Sequence, residues 1–375
     1  ADAAREVLPT HDGWAAVPTA TLPLGTTGGS QATLARTHIV TSRKELLAAL
    51  DFPDPTPKLI QVKGTIDFNV DDNHAPLSCF DYAQPDPATG EPYSLHAFLT
   101  MYDPTGPLGL QMARDKQEPW GGQEDARAAS AAAQAGRIRV RVPPNTTLYG
   151  LGSDATLLGV ALDIAGDAKD MGAAGKGPTA MNVIVRNLHF IDTHDCFPEW
   201  SPGDGRTGNW NAAYDSISIR HATHVWIDHN RFADERTRDE LQPVYFGHRY
   251  QVHDGLVDIT HQSDYVTVSW NQFAAHDKTL LIDHSDSVTA DSERLRVTLH
   301  HNLFDGAGQR MPRVRFGKVH VYNNVYRADA EKFDPDLKTD AGWTPGLYGA
   351  ASGPETVETA YRRVLDEGGP GRARN

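Results

Sequence analysis

Cysteine is scarce in this chain. Cys79 and Cys196 are the only two among 375 residues, too few for a disulfide framework. They either pair with each other or stay as buried thiols. No apolar run approaches the eighteen or so residues that span a bilayer, so a membrane-spanning role is not expected. Positive charge is in deficit as well: 35 Lys and Arg stand against 49 Asp and Glu, a net charge of −14. Nucleic-acid binding needs a broad basic face and is excluded as a general role. No Cys or His group has the spacing of a zinc site. The opening Ala1-Asp2-Ala3-Ala4-Arg5 carries no charged region followed by an apolar one. It reads as the mature end of a secreted chain or the start of a cytoplasmic one. What is present is ordinary for a globular fold: 39% hydrophobic and 22% charged residues, in a chain long enough for a large core.

Against this acidic background one segment stands out. Gln309-Arg310-Met311-Pro312-Arg313-Val314-Arg315-Phe316-Gly317 places three arginines within six residues around a proline. Guanidinium groups are rigid, permanently charged forks suited to carboxylates and phosphates. The segment reads as a binding row for an anion, with a surface ion-pair patch as the alternative.

The chain is expected to form one domain over residues 1–375. Residues 1–57 read as an N-terminal wrap and cap. Within them Ser42-Arg43-Lys44-Glu45 is a capping-box pattern, followed by Leu46, Leu47 and Leu50 at helical spacing, which predicts a short helix over 42–50. A strand-like run follows at Lys58–Val62. The polar, proline-rich stretch 71–122 has no regular period and reads as long loops, and the alanine-rich 123–135 as a surface helix. Ile138–Val142 alternates as a half-buried strand does.

Short strands with a common ending then recur. Val225–Phe232, Val266–Phe273, Val297–Phe304 and Val319–Tyr326 each run from an alternating strand into Asn-x-aromatic; Val183–Phe190 is a looser fifth copy. A weak repeat of this kind means a solenoid or a propeller. The 22-residue interval from Asn302 to Asn324 cannot hold the four strands of a propeller blade but matches one coil of a parallel β-helix. The fold class is therefore all-β: a parallel β-helix with a short N-terminal capping helix and long surface loops, its coils spanning 58–327 and a shortened C-terminal segment 328–375. In such a solenoid the repeated asparagines can stack into a ladder that satisfies their amides; the alternative is that they only mark turns.

Stacked coils would align side chains into rows. Asp215, the pair Asp254 and Asp258, Lys278 and the arginine group occupy suggestive positions. Three carboxylates suit a hard cation with oxygen ligands, most plausibly Ca²⁺, although each aspartate taken alone is an ordinary turn or cap residue.

These residues, together with Asp12-Gly13-Trp14, Gly64-Thr65-Ile66-Asp67, Pro144-Asn145-Thr146-Thr147, Val225-Trp226-Ile227-Asp228-His229 and the run from His253-Asp254-Gly255 to Asn323-Asn324, make the chain resemble the family 1 polysaccharide lyases, and within them the secreted bacterial pectate lyases. The resemblance implies a right-handed helix, secretion to the extracellular space, a monomer without nucleic-acid or membrane partners, and polygalacturonate as substrate. It implies that Asp215, Asp254 and Asp258 bind calcium, that Lys278 and Arg315 hold the substrate, and that Arg310 is the catalytic base. Asp228 and His229 read as structural. One departure is visible: after Arg327 a short polar stretch leads directly to Gly342-Trp343-Thr344-Pro345, where members of the family continue through further coils.

The implied reaction removes the C5 proton of a uronate and expels the 4-oxygen, leaving a 4,5 double bond. An arginine can serve as base only where positive charge crowds it, since like charges favour the neutral form; an alkaline optimum is expected. Three rivals remain open. A calcium-independent pectin lyase would not need all three aspartates. A hydrolase would use Asp254 and Asp258 as paired carboxylates. A non-catalytic β-solenoid that binds carbohydrate would not need Lys278 with Arg310.

Overall fold

The computed structural model describes residues 2–166 and 179–327. Its backbone is a right-handed parallel β-helix in which three strand ladders run along one axis. The first stacks Arg139–Arg141, Ala161–Ala165, Ile217–Arg220, Val257–Thr260, Leu280–Ile282 and Arg313–Val314. The second runs from Thr37–Val40 and Lys58–Asp67 through Thr146–Leu158 to Ala222–Asp228, Asp264–Ser269, Arg296–His300 and Lys318–Tyr322. The third stacks His189–Ile191, Arg231–Ala233, Gln272–Ala274, Leu303–Asp305 and Val325–Arg327. The long strand Thr146–Leu158 belongs to the second and third ladders at once.

The core is the inside of this coil. Inward positions repeat as Val183, Val225, Val266 and Val297 in register, all fully buried. The aromatic of each repeat forms an internal column. Phe190, Phe232, Phe273, Phe304 and Tyr326 stack with nearly parallel rings at centroid spacings of 4.9, 5.1, 5.0 and 5.0 Å. Those spacings follow from the separation of hydrogen-bonded strands.

The asparagines form the ladder. Asn230 Nδ2 donates to Asn271 Oδ1 at 3.1 Å, Asn271 to Asn302 at 3.1 Å, and Asn302 to Asn324 at 2.9 Å. Each Oδ1 also accepts the backbone N–H of the preceding asparagine, and each Nδ2 of Asn230, Asn271 and Asn302 donates to a backbone carbonyl. The fifth copy differs. Its ladder position is Leu188, whose N–H donates to Asn230 Oδ1, while Asn187 takes a left-handed φ of 56° and turns outward to Gly150 and Gly152.

The capping helix spans Arg43–Leu50. Ser42 Oγ accepts from Glu45 N, and Glu45 Oε2 accepts from Thr41 N. Leu46, Ala49 and Leu50 close the core at this end. The coil begins earlier than Lys58, since Thr37–Val40 already pairs in parallel with Leu59–Val62.

Two expectations need correction. The stretch 71–122 holds helices at Cys79–Tyr82, Leu95–Met101 and Pro107–Asp115. Segments of four to nine residues are too short to show a period, and it is contact with Trp200, Trp210 and Tyr250 that fixes Phe98, Tyr102 and Met112 in a satellite core. The next helix runs Gln123–Ile138, so Ile138 ends a helix and does not start a strand. This helix is not only a surface element. Arg127 is buried, pairs with Glu124 and donates to the Phe197 carbonyl. Cys79 and Cys196 form a disulfide across 117 residues, which ties the inserted segment to the coil. Residues 328–375, where a shortened C-terminal segment was expected, and the Gly342–Pro345 motif within them lie outside the described residues.

Asn271 is the central rung. Replacing it by Ala should leave Asn230 N, the Ile227 carbonyl and Asn302 Oδ1 each short of a buried partner, a loss of about 2–4 kcal/mol. Urea unfolding of Asn271→Ala against wild type measures it; a loss below about 0.5 kcal/mol would mean that the asparagines only mark turns.

Candidate active site

Parallel register carries the acidic residues to one place. On the first ladder Asp163, Ser218, Asp258, Leu281 and Arg313 share one register position. Asp215 enters just before the strand Ile217–Arg220, and Asp254 just before Val257–Thr260. Lys278 precedes Leu280–Ile282 and bridges in parallel to Gln309, which brings Arg310 alongside. A cavity of about 380 Å³ opens here, lined by Asp215, Asp254, Asp258, Lys278 and Arg310.

The three aspartates each place a carboxylate oxygen within 4.8 Å of the others. Asp215 is braced by Ser218 Oγ at 2.6 Å and Gly255 N at 2.9 Å, and Asp258 by Leu281 N at 3.2 Å. Burial, then the charge of Asp254, pushes the Asp215 carboxyl up to about 6. Burial, then Asp215 and Asp254, pushes Asp258 well above the usual carboxylate range. The repulsion is only partly offset. Lys278 Nζ lies 3.5 Å from Asp254, and Arg310 Nη1 lies 3.6 Å from Asp254 and 3.9 Å from Asp258. These are ion-pair distances beyond hydrogen-bond contact, and Arg310 Nε and Nη1 are buried without an acceptor. An acid-only oxygen cluster beside unpaired cationic donors has the chemistry to hold a hard divalent cation and an anionic ligand together.

Glycine makes room for that cluster. A Cβ on Gly255 would lie 2.4 Å from Asp258 Oδ1 and 2.7 Å from Asp215 Oδ1. The cradle that a side chain would fill is the space between the carboxylates, and it fits a bound ion.

Arg315 does not line this cavity. It donates to the Asp283 carbonyl at 2.8 Å and lies 2.9 Å from the exposed Asp286 carboxylate. Arg313 sits in the strand beside Leu281; burial, then Arg315 and Arg310, pulls its guanidinium below the usual arginine range. The arginine segment is therefore divided, with Arg310 alone of the three in the cleft. Asp228 and His229 are away from it. Asp228 is buried against Arg186, Ser269 and His229.

Other cleft residues escape a reading of motifs. Asp163, paired with Arg220 at 2.7 Å, lines the cavity with His261 and His284. Asp163 shares its register position with Asp258 and could be found by aligning coils. His276 lies beneath the floor. Burial works against its charge, but Asp234 and Asp239 lift it up to about 9, so both ring nitrogens donate, one to Asp234 at 2.7 Å and one to the Asp254 carbonyl at 2.8 Å. Nothing in the spacing of Asp234, His253 and His276 points to this.

A β-helix with a carboxylate-lined, arginine-bearing cleft defines a class of proteins that act on acidic polysaccharides. A family model described as pectate lyase matches residues 120–341. A pectate lyase from Bacillus subtilis (strain 168) is 40% identical over 98% of this chain and 78% of its own length. Pectate lyase E from Dickeya dadantii (strain 3937) is 35% identical over 81% of this chain and 58% of its own. Among solved structures, a pectate lyase bound to hexasaccharide superposes with a TM-score of 0.77 at 43% identity, covering 87% of this chain and 74% of that one. The chain belongs to the pectate lyase family and is a polysaccharide lyase.

Two outcomes are expected. Gly255 does not have a left-handed φ, so Gly255→Ala should fold, yet its methyl should weaken calcium binding by at least about tenfold, read by calorimetry; unchanged affinity would place the ion elsewhere. The second concerns Asp195, which braces Phe197 N and Ala213 N ahead of Asp215. Burial pushes its carboxyl up to about 6, above the unfolded value near 3.9. The folded state therefore keeps the proton longer, and this stabilisation, full below about pH 4, is lost as pH rises through 6. Urea unfolding from pH 4 to 7 should show a decline of roughly 2 kcal/mol in wild type relative to Asp195→Asn.

Proposed function

We propose that this lyase is a calcium-dependent pectate lyase. It cleaves α-1,4-linked polygalacturonate by β-elimination and releases 4,5-unsaturated oligogalacturonates. The observation that carries this reading is the convergence of Asp215, Asp254 and Asp258 with Lys278 and Arg310 in one cavity. A calcium-independent pectin lyase has no use for three mutually repelling carboxylates gathered in one cleft. A hydrolase would set Asp254 and Asp258 on either side of a sugar; here both turn with Asp215 toward one point. A binding module has no use for an arginine whose Nε and Nη1 are held in the cleft without a hydrogen-bond acceptor.

Asp215, Asp254 and Asp258 would hold the calcium ion, which would supply Lewis acidity where negative charge builds as the α-proton leaves. Lys278, 3.5 Å from Asp254, places an ammonium beside the same carboxylate and stabilises that charge electrostatically. Arg310 accepts the C5 proton. Arg315 binds substrate by exchanging the exposed carboxylate of Asp286 for a uronate of the bound chain. Water protonates the leaving oxygen. The Cys79–Cys196 bridge supports a secreted enzyme, because disulfides persist in oxidising compartments.

The test is absorbance near 235 nm (the conjugated product) on polygalacturonate. Activity should appear with calcium, vanish with chelator and peak at alkaline pH. Arg310→Lys should lower kcat by at least about 10³-fold while calcium affinity stays within a few-fold. Reducing ends released without ultraviolet absorbance, or a maximum near pH 5, would overturn the reading.

A further inference from the structure

At the rim of the same cleft the chain holds a second group of ligand-type side chains that the reaction does not use. The strand Leu280–Ile282 ends at Asp283, and the short helical turn Thr289–Glu293 brings Asp291 against it. Both residues are fully buried. Each spends one carboxylate oxygen on backbone: Asp283 Oδ1 accepts from Ser285 N at 3.1 Å, and Asp291 Oδ1 from Gln262 N at 2.8 Å. The other oxygen of each, Oδ2, is buried and receives no N–H or hydroxyl; the two side chains meet there, and burial, then contact with Asp283, pushes the Asp291 carboxyl up to about 7. Arg315, the nearest cation, does not serve them. Its guanidinium is taken by the Asp283 carbonyl and by Asp286.

Two buried carboxyl groups in contact repel strongly unless a proton or a metal ion lies between them. A positive ion between them removes that cost. A third donor completes the set: His284, exposed at the rim, contributes a ring nitrogen, and the ligand atoms of Asp283, His284 and Asp291 lie within 4.8 Å of one another. Its ring stacks on His261 at 4.0 Å with nearly parallel planes. Stacking holds the imidazole by its faces and leaves the in-plane nitrogens able to coordinate.

We propose that Asp283, His284 and Asp291 form a second cation site at the rim of the cleft, selective for a borderline divalent transition-metal ion such as Zn²⁺. The donor set decides the class of ion. Two carboxylate oxygens with one imidazole nitrogen, open to solvent on the His284 side, match a three-ligand zinc site with water in the fourth place. The aspartate triad of the cleft floor is all oxygen and suits calcium. An ion bound at about 2.1 Å to each ligand needs donors about 3.4 Å apart, which small side-chain rotations reach from the present spacing. A bound ion would fix His284, a wall of the cavity.

The experiment is calorimetric titration of the full chain with Zn²⁺ in saturating Ca²⁺, so that the cleft triad is filled. Wild type should bind one equivalent. Asp291→Asn, which keeps the acceptor for Gln262 N, should weaken zinc by at least about tenfold. His284→Gln, an exposed change that does not threaten folding, should do the same, and Asp215→Asn should stay within about twofold. Absence of zinc uptake by wild type would overturn the proposal and mean that the two carboxyls share a proton instead. Undiminished zinc affinity in His284→Gln would overturn it as well, by placing the ion elsewhere; should Asp291→Asn fail to fold, His284→Gln alone decides.

Discussion

Two strands that pair in parallel with every residue opposite its counterpart leave each side chain about 4.8 Å from the same position of the next coil. In this protein that register repeats from Thr146–Leu158 to the last described coil, and both stability and chemistry follow from it. The phenylalanine column, the asparagine ladder and the valine rows are single residue choices repeated at one strand spacing. Each gains its worth from its neighbour: an Asn271 amide has its partners only because Asn230 and Asn302 lie one coil away on either side. A coil removed from the stack would expose its core face and orphan its amides.

The same geometry concentrates charge of one sign. Stacking places Asp215 against Asp258 across adjacent strands, with Asp254 just ahead of the second. The fold accepts the cost because the surrounding coils hold the backbone in place whatever the carboxylates prefer. Ser218, Gly255 and Leu281 pin two of the three from their own sides, and the buried imidazolium of His276 pins the backbone of the third. Such a site is unfavourable without positive charge and hence ready to receive it. A net charge of −14 is thereby compatible with an anionic polysaccharide: the sign at the cleft is set locally by Lys278, Arg310 and the cation proposed for the aspartates, and not by the bulk of the chain.

The arginine segment shows how one stretch of sequence is distributed by the coil. Arg310 precedes its strand and turns into the cleft. Arg313 is carried into the ladder. Arg315, two residues on, lies at the rim beside Asp283 and Asp286. The spacing of the three suggested a single row; they reach three environments because Arg310 lies in the loop before the two-residue strand, Arg313 lies within it and Arg315 lies beyond its end.

The repeat itself was legible from the chain. Alternating valines ending in Asn-x-aromatic fix the coil, its column and its ladder, since these depend on residues at a constant distance in sequence. So did the set of acidic residues before the strand starts, together with Lys278 and Arg310, because motif and coil position coincide there. Other features were decided only in three dimensions. Leu188 and not Asn187 occupies the ladder, since the strand pairing counts from Phe190. The helices within 71–122 exist through contact with distant tryptophans, and His261, His284 and the Asp283–Asp291 pair come together through loops whose lengths follow no period. Local pattern determines what each coil is; which insertions meet above it is settled by packing, for which a linear spacing carries no record.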